Sequence, residues 1–304
     1  MKKILIIGSN GLVGQKIREL IIQNSAFELM ATSLSSNKLP AAATNFQEMD
    51  FTQAAQVNQL VESFKPHIII NCAGMTQVDA CEINRNDCWK INYESVMHLI
   101  QAANASGAKL IQLSTDFVFD GSKGLYSETD EPNPVSFYGV SKWEAEKMVH
   151  MHCQNYAIVR TVLVYGVTAA MTRSNLILWV KESLEAGKKI NVVDDQYRTP
   201  TLAEDLAFGT LAIANSTSQG IFHIAGNEYM SVYEIAHRTA EFFNLDSSLI
   251  KPITSLELKQ PGKRPAKTGF NISKAQNEIG FYPRSLVSGL QLVKEQLDTL
   301  SILS

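Results

Sequence analysis

The chain opens on a short apolar run, Ile4 to Ile7. It breaks into Gly8-Ser9-Asn10-Gly11-Leu12-Val13-Gly14 and then into apolar residues at helical spacing, Ile17, Leu20 and Ile21. No other feature narrows the possible folds as much. A first strand, a glycine turn and a helix are what a dinucleotide-binding unit requires. Glycine lets backbone N–H groups approach a pyrophosphate, and the helix N-terminus adds positive potential there. The spacing is G-x-x-G-x-x-G rather than G-x-G-x-x-G. A glycine-rich turn alone is also a plain tight connection. Its place directly after the first strand favours the cofactor reading.

Strand and helix signals alternate from there on. Glu28 to Thr32 reads as a second strand. In NAD-binding folds an acidic residue about 20 residues beyond the glycine loop takes the ribose 2′-hydroxyl. Here that region is Ser33-Leu34-Ser35-Ser36-Asn37-Lys38, with hydroxyls, an amide and a lysine but no carboxylate. This leaves room for a 2′-phosphate and points to NADPH, with NADH also usable; Lys38 is equally at home as a solvated loop residue. Phe46 to Met49 leads into Asp50-Phe51, where Asp50 either contacts an adenine or caps a helix from Thr52 to Phe64. His67 to Ile70 is a continuous apolar strand of parallel-sheet type, ending in Asn71-Cys72-Ala73-Gly74. Asp79 to Ser106 is mostly helical, and Asn92 within it is open between a backbone contact and a catalytic water. Leu110 to Leu113 is a fifth strand carrying Ser114-Thr115-Asp116, a long loop covers 116–135, and Ala157 to Arg160 is a sixth strand.

This alternation predicts a doubly wound parallel sheet, a Rossmann-type α/β fold. Ligands bind such sheets at the carboxyl ends of the strands. The candidate cofactor contacts are therefore Gly8, Asn10, Gly11, Leu12, Val13, Gly14, Ser33, Asp50, Phe51, Cys72, Ala73 and Gly74.

Tyr138-Gly139-Val140-Ser141-Lys142 opens the helix predicted from Ser136 to Val149. Positions i and i+4 share a helix face, so Tyr138 and Lys142 are neighbours. An ammonium beside a phenol lowers its pKa, which suits a proton donor. The same pair also arises by chance on exposed helices, so its meaning depends on what lies around it.

Composition bounds the rest. The 304 residues are 45% apolar and 19% charged, enough for a substantial core. A net charge of −3 gives no reason to expect nucleic acid or an anionic membrane as partner. No run of about 18 apolar residues exists, so no transmembrane helix is expected. The four cysteines form no C-x-x-C and have no histidine pair at zinc spacing; they read as free thiols in a cytoplasmic protein without a metal site.

Beyond Tyr165 the pattern is less regular. Helices are expected over Asn175 to Ala186, from Ala203, up to Phe243 behind a Ser231…Glu234 capping box, and over Ser285 to Leu297. Strands are expected over Ile190 to Val193 and Gly220 to Ala225. We expect residues 1–165, joined by 200–224, to bind the cofactor, and 166–199 with 225–304 to form a smaller substrate domain. Its loop cations, Arg173, Arg198, Lys263 and Arg264, suit a diphosphate or are surface charges.

Five segments in order resemble the extended short-chain dehydrogenase/reductases, and within them the dTDP-4-dehydrorhamnose reductase family. They are Asn71 to Glu82, Leu113 to Gly121, Tyr138 to Lys142, Asp195 to Thr201 with Asp205-Leu206-Ala207, and Arg264-Pro265. The resemblance implies reduction of a keto group on a nucleotide sugar. It implies that Tyr138 donates a proton, that Lys142 binds the nicotinamide ribose and depresses the tyrosine pKa, and that Thr115 hydrogen-bonds the reacting oxygen. Thr76, Asp116, Asn175, Gln196 and Arg264 become substrate-side candidates, and a homodimer becomes possible. Met75 stands where that family has Tyr, and Gln15 follows the glycine loop with no acidic cluster for an interface magnesium. The segments Gly226 to Glu234, Phe243 to Ser248 and Pro252 to Thr254 are similar instead to the regulatory beta subunit of methionine adenosyltransferase, an NADP-binding partner subunit with the same fold. Another sugar-nucleotide epimerase or dehydratase is the remaining alternative.

Overall fold

The computed structural model describes residues 1–23, 27–39, 45–168 and 174–303. Its centre is a sheet of seven parallel strands. In chain order these are β1 (Lys2–Ile7), β2 (Phe27–Ser33), β3 (Asn45–Glu48), β4 (Ile68–Asn71), β5 (Lys109–Thr115), β6 (Tyr156–Thr161) and β7 (Gly220–His223). Across the sheet they run β3-β2-β1-β4-β5-β6-β7. The order reverses between β1 and β4, where Ile7 faces Asn71 in register. That switch point opens a crevice at the strands' carboxyl ends.

Strand residues are apolar on both faces because both faces are covered. Ile4 and Ile6 of β1 join one core with Ile17, Ile70, Leu206 and Phe222, while Leu5 and Ile7 join the other with Leu60, Ile69, Leu99 and Val149. The helices Leu12–Gln23 and Ala203–Asn215 lie on the first side; Ala54–Phe64, Ser95–Ser106 and Phe137–His152 lie on the second.

Several expected elements change in detail. The expected helix of 79–106 is three α-helical pieces, Val78–Ile83, Arg85–Trp89 and Ser95–Ser106, with a π-helical turn at Lys90–Glu94. The expected loop 116–135 holds a 3-10 turn at Asp116–Val118 and a strand, Gly124–Tyr126. That strand joins a four-stranded sheet with Lys267–Phe270, Tyr197–Arg198 and Met230–Ser231. Three residues that look like loop thus cross-link the first half of the chain to the second. The terminal helix runs Leu286–Leu303. The capping box forms as read: Ser231 Oγ accepts from Glu234 N–H, and Glu234 accepts from Ser231 N–H.

No described helix is long and apolar enough to cross a membrane. The four cysteines are free.

Candidate active site

The glycine loop is shaped by contacts that a side chain would block. Gly8 has φ +79°, and a Cβ there would lie 2.7 Å from the backbone nitrogen of Ala73. Glycine at this point lets β1 and the Ala73 turn after β4 close on each other. A Cβ on Gly14 would lie 2.5 Å from the Gly8 carbonyl oxygen. Asn10 ties the loop to the turn after β2, donating to the carbonyls of Ser35 (3.1 Å) and Ser36 (2.8 Å) and accepting from Lys38 N–H. The buried Ser9 hydroxyl has no partner among the described residues. A tight glycine cradle at a helix N-terminus, with an unanswered hydroxyl inside it, fits a dinucleotide phosphate.

Asp50, a candidate, and Asn71, which precedes three others, have structural duties. Asp50 is not the cap of the next helix: it accepts from Thr52 N–H at 2.9 Å in a local turn, and the helix begins at Ala54 behind Gln53, whose side chain makes no cap. Asn71 accepts from Ala73 N–H at 3.0 Å and donates to Gln112 at 2.9 Å, which fixes the Cys72-Ala73-Gly74 turn. Arg18 was not among the sequence candidates. It is fully buried, donates to Asn37 at 3.0 Å and faces the Phe46 ring, so it places a cation behind the Ser33–Lys38 turn. Its spacing from Gly14 is the only sequence signal for that placement.

The second half of the site is the helix Phe137–His152. Ser136 caps it, accepting from Gly139 N–H at 3.1 Å. Glu82 reaches across and accepts from Phe137 N–H at 2.6 Å, so a carboxylate sits at the positive end of the helix. Gly139 is the close-contact residue: a Cβ there would lie 2.2 Å from the Phe117 carbonyl oxygen. The helix can therefore press against the turn that follows β5. This brings Tyr138 beside Thr115, whose hydroxyl favours the phenolate. Asn92, on the π turn, brackets the site by donating to the Met75 carbonyl (2.9 Å) and Ser141 Oγ (3.0 Å) and accepting from Met75 N–H (2.8 Å). The backbone contact is the reading of Asn92 that the geometry supports.

Thr115, Tyr138 and Lys142 are all buried, between 6% and 8% exposed. Burial pushes the Tyr138 phenol up, the Thr115 hydrogen bond opposes this, and the charge of Asp116 adds to it. The expected lowering by Lys142 is not seen; burial disfavours the phenolate and raises the pKa instead. The Lys142 ammonium donates instead to the Leu113 carbonyl at 2.7 Å. Burial holds its pKa down to about 8, against a raising effect from Glu146. The helix itself is anchored by a fully buried pair in which Arg160 of β6 donates to both Glu146 oxygens, at 3.0 and 2.6 Å.

Most of the substrate-side candidates are already partnered. Thr76 is exposed between Met75 and the helix Val78–Ile83. Asn175 caps the helix Leu176–Glu185 and donates to the Gly166 carbonyl at 2.8 Å. Gln196 donates to Ser255 at 2.9 Å. Arg264 forms a two-point pair with Asp79 (3.0 and 2.9 Å), and Asp79 also accepts from Gly262 N–H. Asp79 and Glu82, three apart on one short helix, thus hold the Gly262–Arg264 turn and the N-terminus of the helix Phe137–His152 respectively. Lys263 lines an open groove of about 410 Å³ with Glu82, Phe137 and Pro261. Arg173 lies outside the described residues.

The comparisons with known proteins agree with this geometry. The model of the family described as RmlD substrate binding domain matches residues 1–299. A dTDP-4-dehydrorhamnose reductase from Clostridium acetobutylicum superposes with a TM-score of 0.87 at 31% identity, covering 97% of this chain and 99% of that one. A Bacillus anthracis protein of the same name, solved in complex with NADP, gives 0.83 at 27% identity over 97% and 100% of the two chains. Methionine adenosyltransferase 2 subunit beta of Xenopus tropicalis is 32% identical over 258 residues, 83% of this chain and 75% of that protein. On the match along nearly its whole length, the chain belongs to the RmlD substrate binding domain family.

Proposed function

We propose that this protein is an NAD(P)H-dependent reductase of the 4-keto group of a deoxy-sugar nucleotide, of the dTDP-4-dehydrorhamnose reductase type. The observation that carries the reading is the packing of the helix Phe137–His152 on the end of β5, which sets Tyr138 at Thr115 and lets Lys142 donate to the Leu113 carbonyl of the same strand. Residues 1–165 with 200–224 take the cofactor on this reading, and 166–199 with 225–304 take the sugar nucleotide.

NADPH, when bound, supplies the hydride. Gly8, Gly11 and Gly14 receive its phosphates, with Asn10, Leu12, Val13, Ser33, Asp50 and Phe51 around the adenosine half and Cys72, Ala73 and Gly74 along its path. Lys142 takes a ribose hydroxyl in exchange for the Leu113 carbonyl. Tyr138 keeps its proton at neutral pH because burial raises its pKa. It delivers that proton to the ketone oxygen as negative charge develops there. Thr115 orients the phenol and hydrogen-bonds the same oxygen. Arg264 exchanges Asp79 for the diphosphate, the bidentate geometry being the same for both anions. Thr76, Asn175 and Gln196 complete the sugar side. The same reading puts the protein in the cytoplasm and makes a homodimer its assembly, which light scattering checks.

The test is consumption of NADPH with dTDP-4-dehydrorhamnose. Turnover supports the reading, and no turnover with any keto-sugar nucleotide overturns it.

A second reading is favoured by the 32% identity to the methionine adenosyltransferase subunit. Here the chain binds NADP and serves as a partner subunit. Tight binding to a methionine adenosyltransferase catalytic subunit, with no reductase activity, would establish it.

A further inference from the structure

Asp116 follows Thr115 directly and is 2% exposed. Its two oxygens face different parts of the molecule. Oδ1 accepts from the Thr115 hydroxyl at 3.1 Å. Oδ2 accepts from the Thr268 hydroxyl and faces Arg198 Nε at 3.6 Å. Thr268 and Arg198 are themselves opposite one another in parallel register. Arg198, 3% exposed, is held by the carbonyls of Tyr197 (2.7 Å), Pro265 (2.8 Å) and Ala266 (3.1 Å) and by Gln196 Oε1 (3.2 Å). Its guanidinium lies over the Phe117 ring, and Phe117 meets the Tyr138 ring edge-on at 5.7 Å.

We propose that Asp116 and Arg198 are a positioning pair for the reduction, acting on substrate only through Thr115 and Tyr138. This rests on the reductase reading above. The Thr115 proton points at Asp116, to which the hydroxyl donates. Phe117 N–H donates to the same Thr115 oxygen at 3.2 Å. The Thr115 hydroxyl therefore rests as a donor toward Asp116, beside the Tyr138 phenol, and turns to the ketone oxygen when substrate binds. Burial raises the Asp116 pKa, and the Arg198 charge beside it works against that rise. Arg198 also ties the carboxylate to the segments 196–198 and 265–268, so the end of β5 and the sugar-side strands keep one mutual register. Asp116, expected among the substrate contacts, is enclosed by protein groups and has no open side for a ligand.

The charged and titratable groups around Tyr138 are Asp116 from the end of β5, Cys81 and Cys88 from the helices Val78–Ile83 and Arg85–Trp89, and Lys142 from its own helix. Asp116 itself faces Arg198. Removing the Asp116 charge takes away one influence that raises the phenol pKa. Removing Arg198 leaves a buried carboxylate without its cation, which takes up a proton. The loss of either partner therefore gives the same neutral site.

The experiment measures kcat and KM at neutral pH for wild type, Asp116→Asn, Arg198→Met and the double variant, with NADPH binding followed by fluorescence. We expect each single variant to lose roughly tenfold or more in kcat with KM changed less than about threefold. The double variant is no worse than either single one. Arg198→Lys, which keeps a cation, recovers part of the rate. Where a single variant does not fold, the double variant buries no unpaired charge and carries the same split between kcat and KM. Losses that multiply in the double variant, or a change in KM alone, overturn the pair. A wild type that binds NADPH but reduces no keto-sugar nucleotide removes the reductase reading, and this inference with it.

Discussion

Alanine at position 139 isolates the contact that assembles the site. Its Cβ would lie 2.2 Å from the Phe117 carbonyl oxygen, 3.1 Å from the Phe117 carbonyl carbon and 3.0 Å from Pro134 Cβ. Heavy atoms rest comfortably at about 3.5 Å, so helix and turn must part by roughly 1 Å. The Phe117 carbonyl cannot swing aside alone, because it sits in a turn closed by the Phe119 N–H to Asp116 bond at 3.1 Å. Tyr138 rides on the moving helix, and Thr115 stands just before the turn. A displacement of ~1 Å costs on the order of 10²-fold in rate. Overpacking of this kind costs about 1–3 kcal/mol, partly offset by the ~1 kcal/mol that alanine gains over glycine inside a helix. The variant therefore folds, with a Tm lower by several degrees. The assay is kcat at saturating NADPH and sugar nucleotide, beside a thermal melt and an NADPH titration. We expect kcat to fall about a hundredfold with NADPH affinity little changed. A folded Gly139→Ala protein with wild-type kcat would refute the argument that this contact places Tyr138 against Thr115.

Two further outcomes follow from buried charges. Glu146→Gln leaves Arg160, 1% exposed, without its counter-charge, and should destabilise by about 3–5 kcal/mol in urea unfolding; a loss under ~1 kcal/mol would mean the pair does not anchor the helix. Lys142 has a folded pKa of about 8 against an ordinary 10.5. Between those values the unfolded chain binds more protons, so Lys142 makes stability rise with pH across that window. The Tm of wild type relative to Lys142→Met should climb from pH 8 to 10, and a flat difference would contradict the assignment.

Much of this architecture was readable from residue patterns. The strand, glycine loop and first helix lie where Ile4–Ile7 and Gly8–Gly14 placed them, because those signals are local. Thr115 and Tyr138 are paired by the family resemblance, one at a strand end and the other at the start of the next long helix. What could not be read is non-local. Gly124–Tyr126 becomes a strand only because Lys267–Phe270 lies beside it. Arg264 meets Asp79 across 185 positions, and Glu82 reaches Phe137 N–H across 55. The tyrosine pKa was misjudged for a related reason. A lysine one turn away is visible in a sequence, whereas the burial that raises the pKa depends on everything packed around the helix.

The central claim is that Tyr138 gives its proton to a sugar ketone while NADPH is oxidised. The direct measurement is the rate of NADPH loss with dTDP-4-dehydrorhamnose, for wild type and for Tyr138→Phe matched in fold and NADPH affinity. The account predicts turnover by wild type and a loss of about 10²-fold or more without the phenol. Equal rates in the two proteins would contradict it.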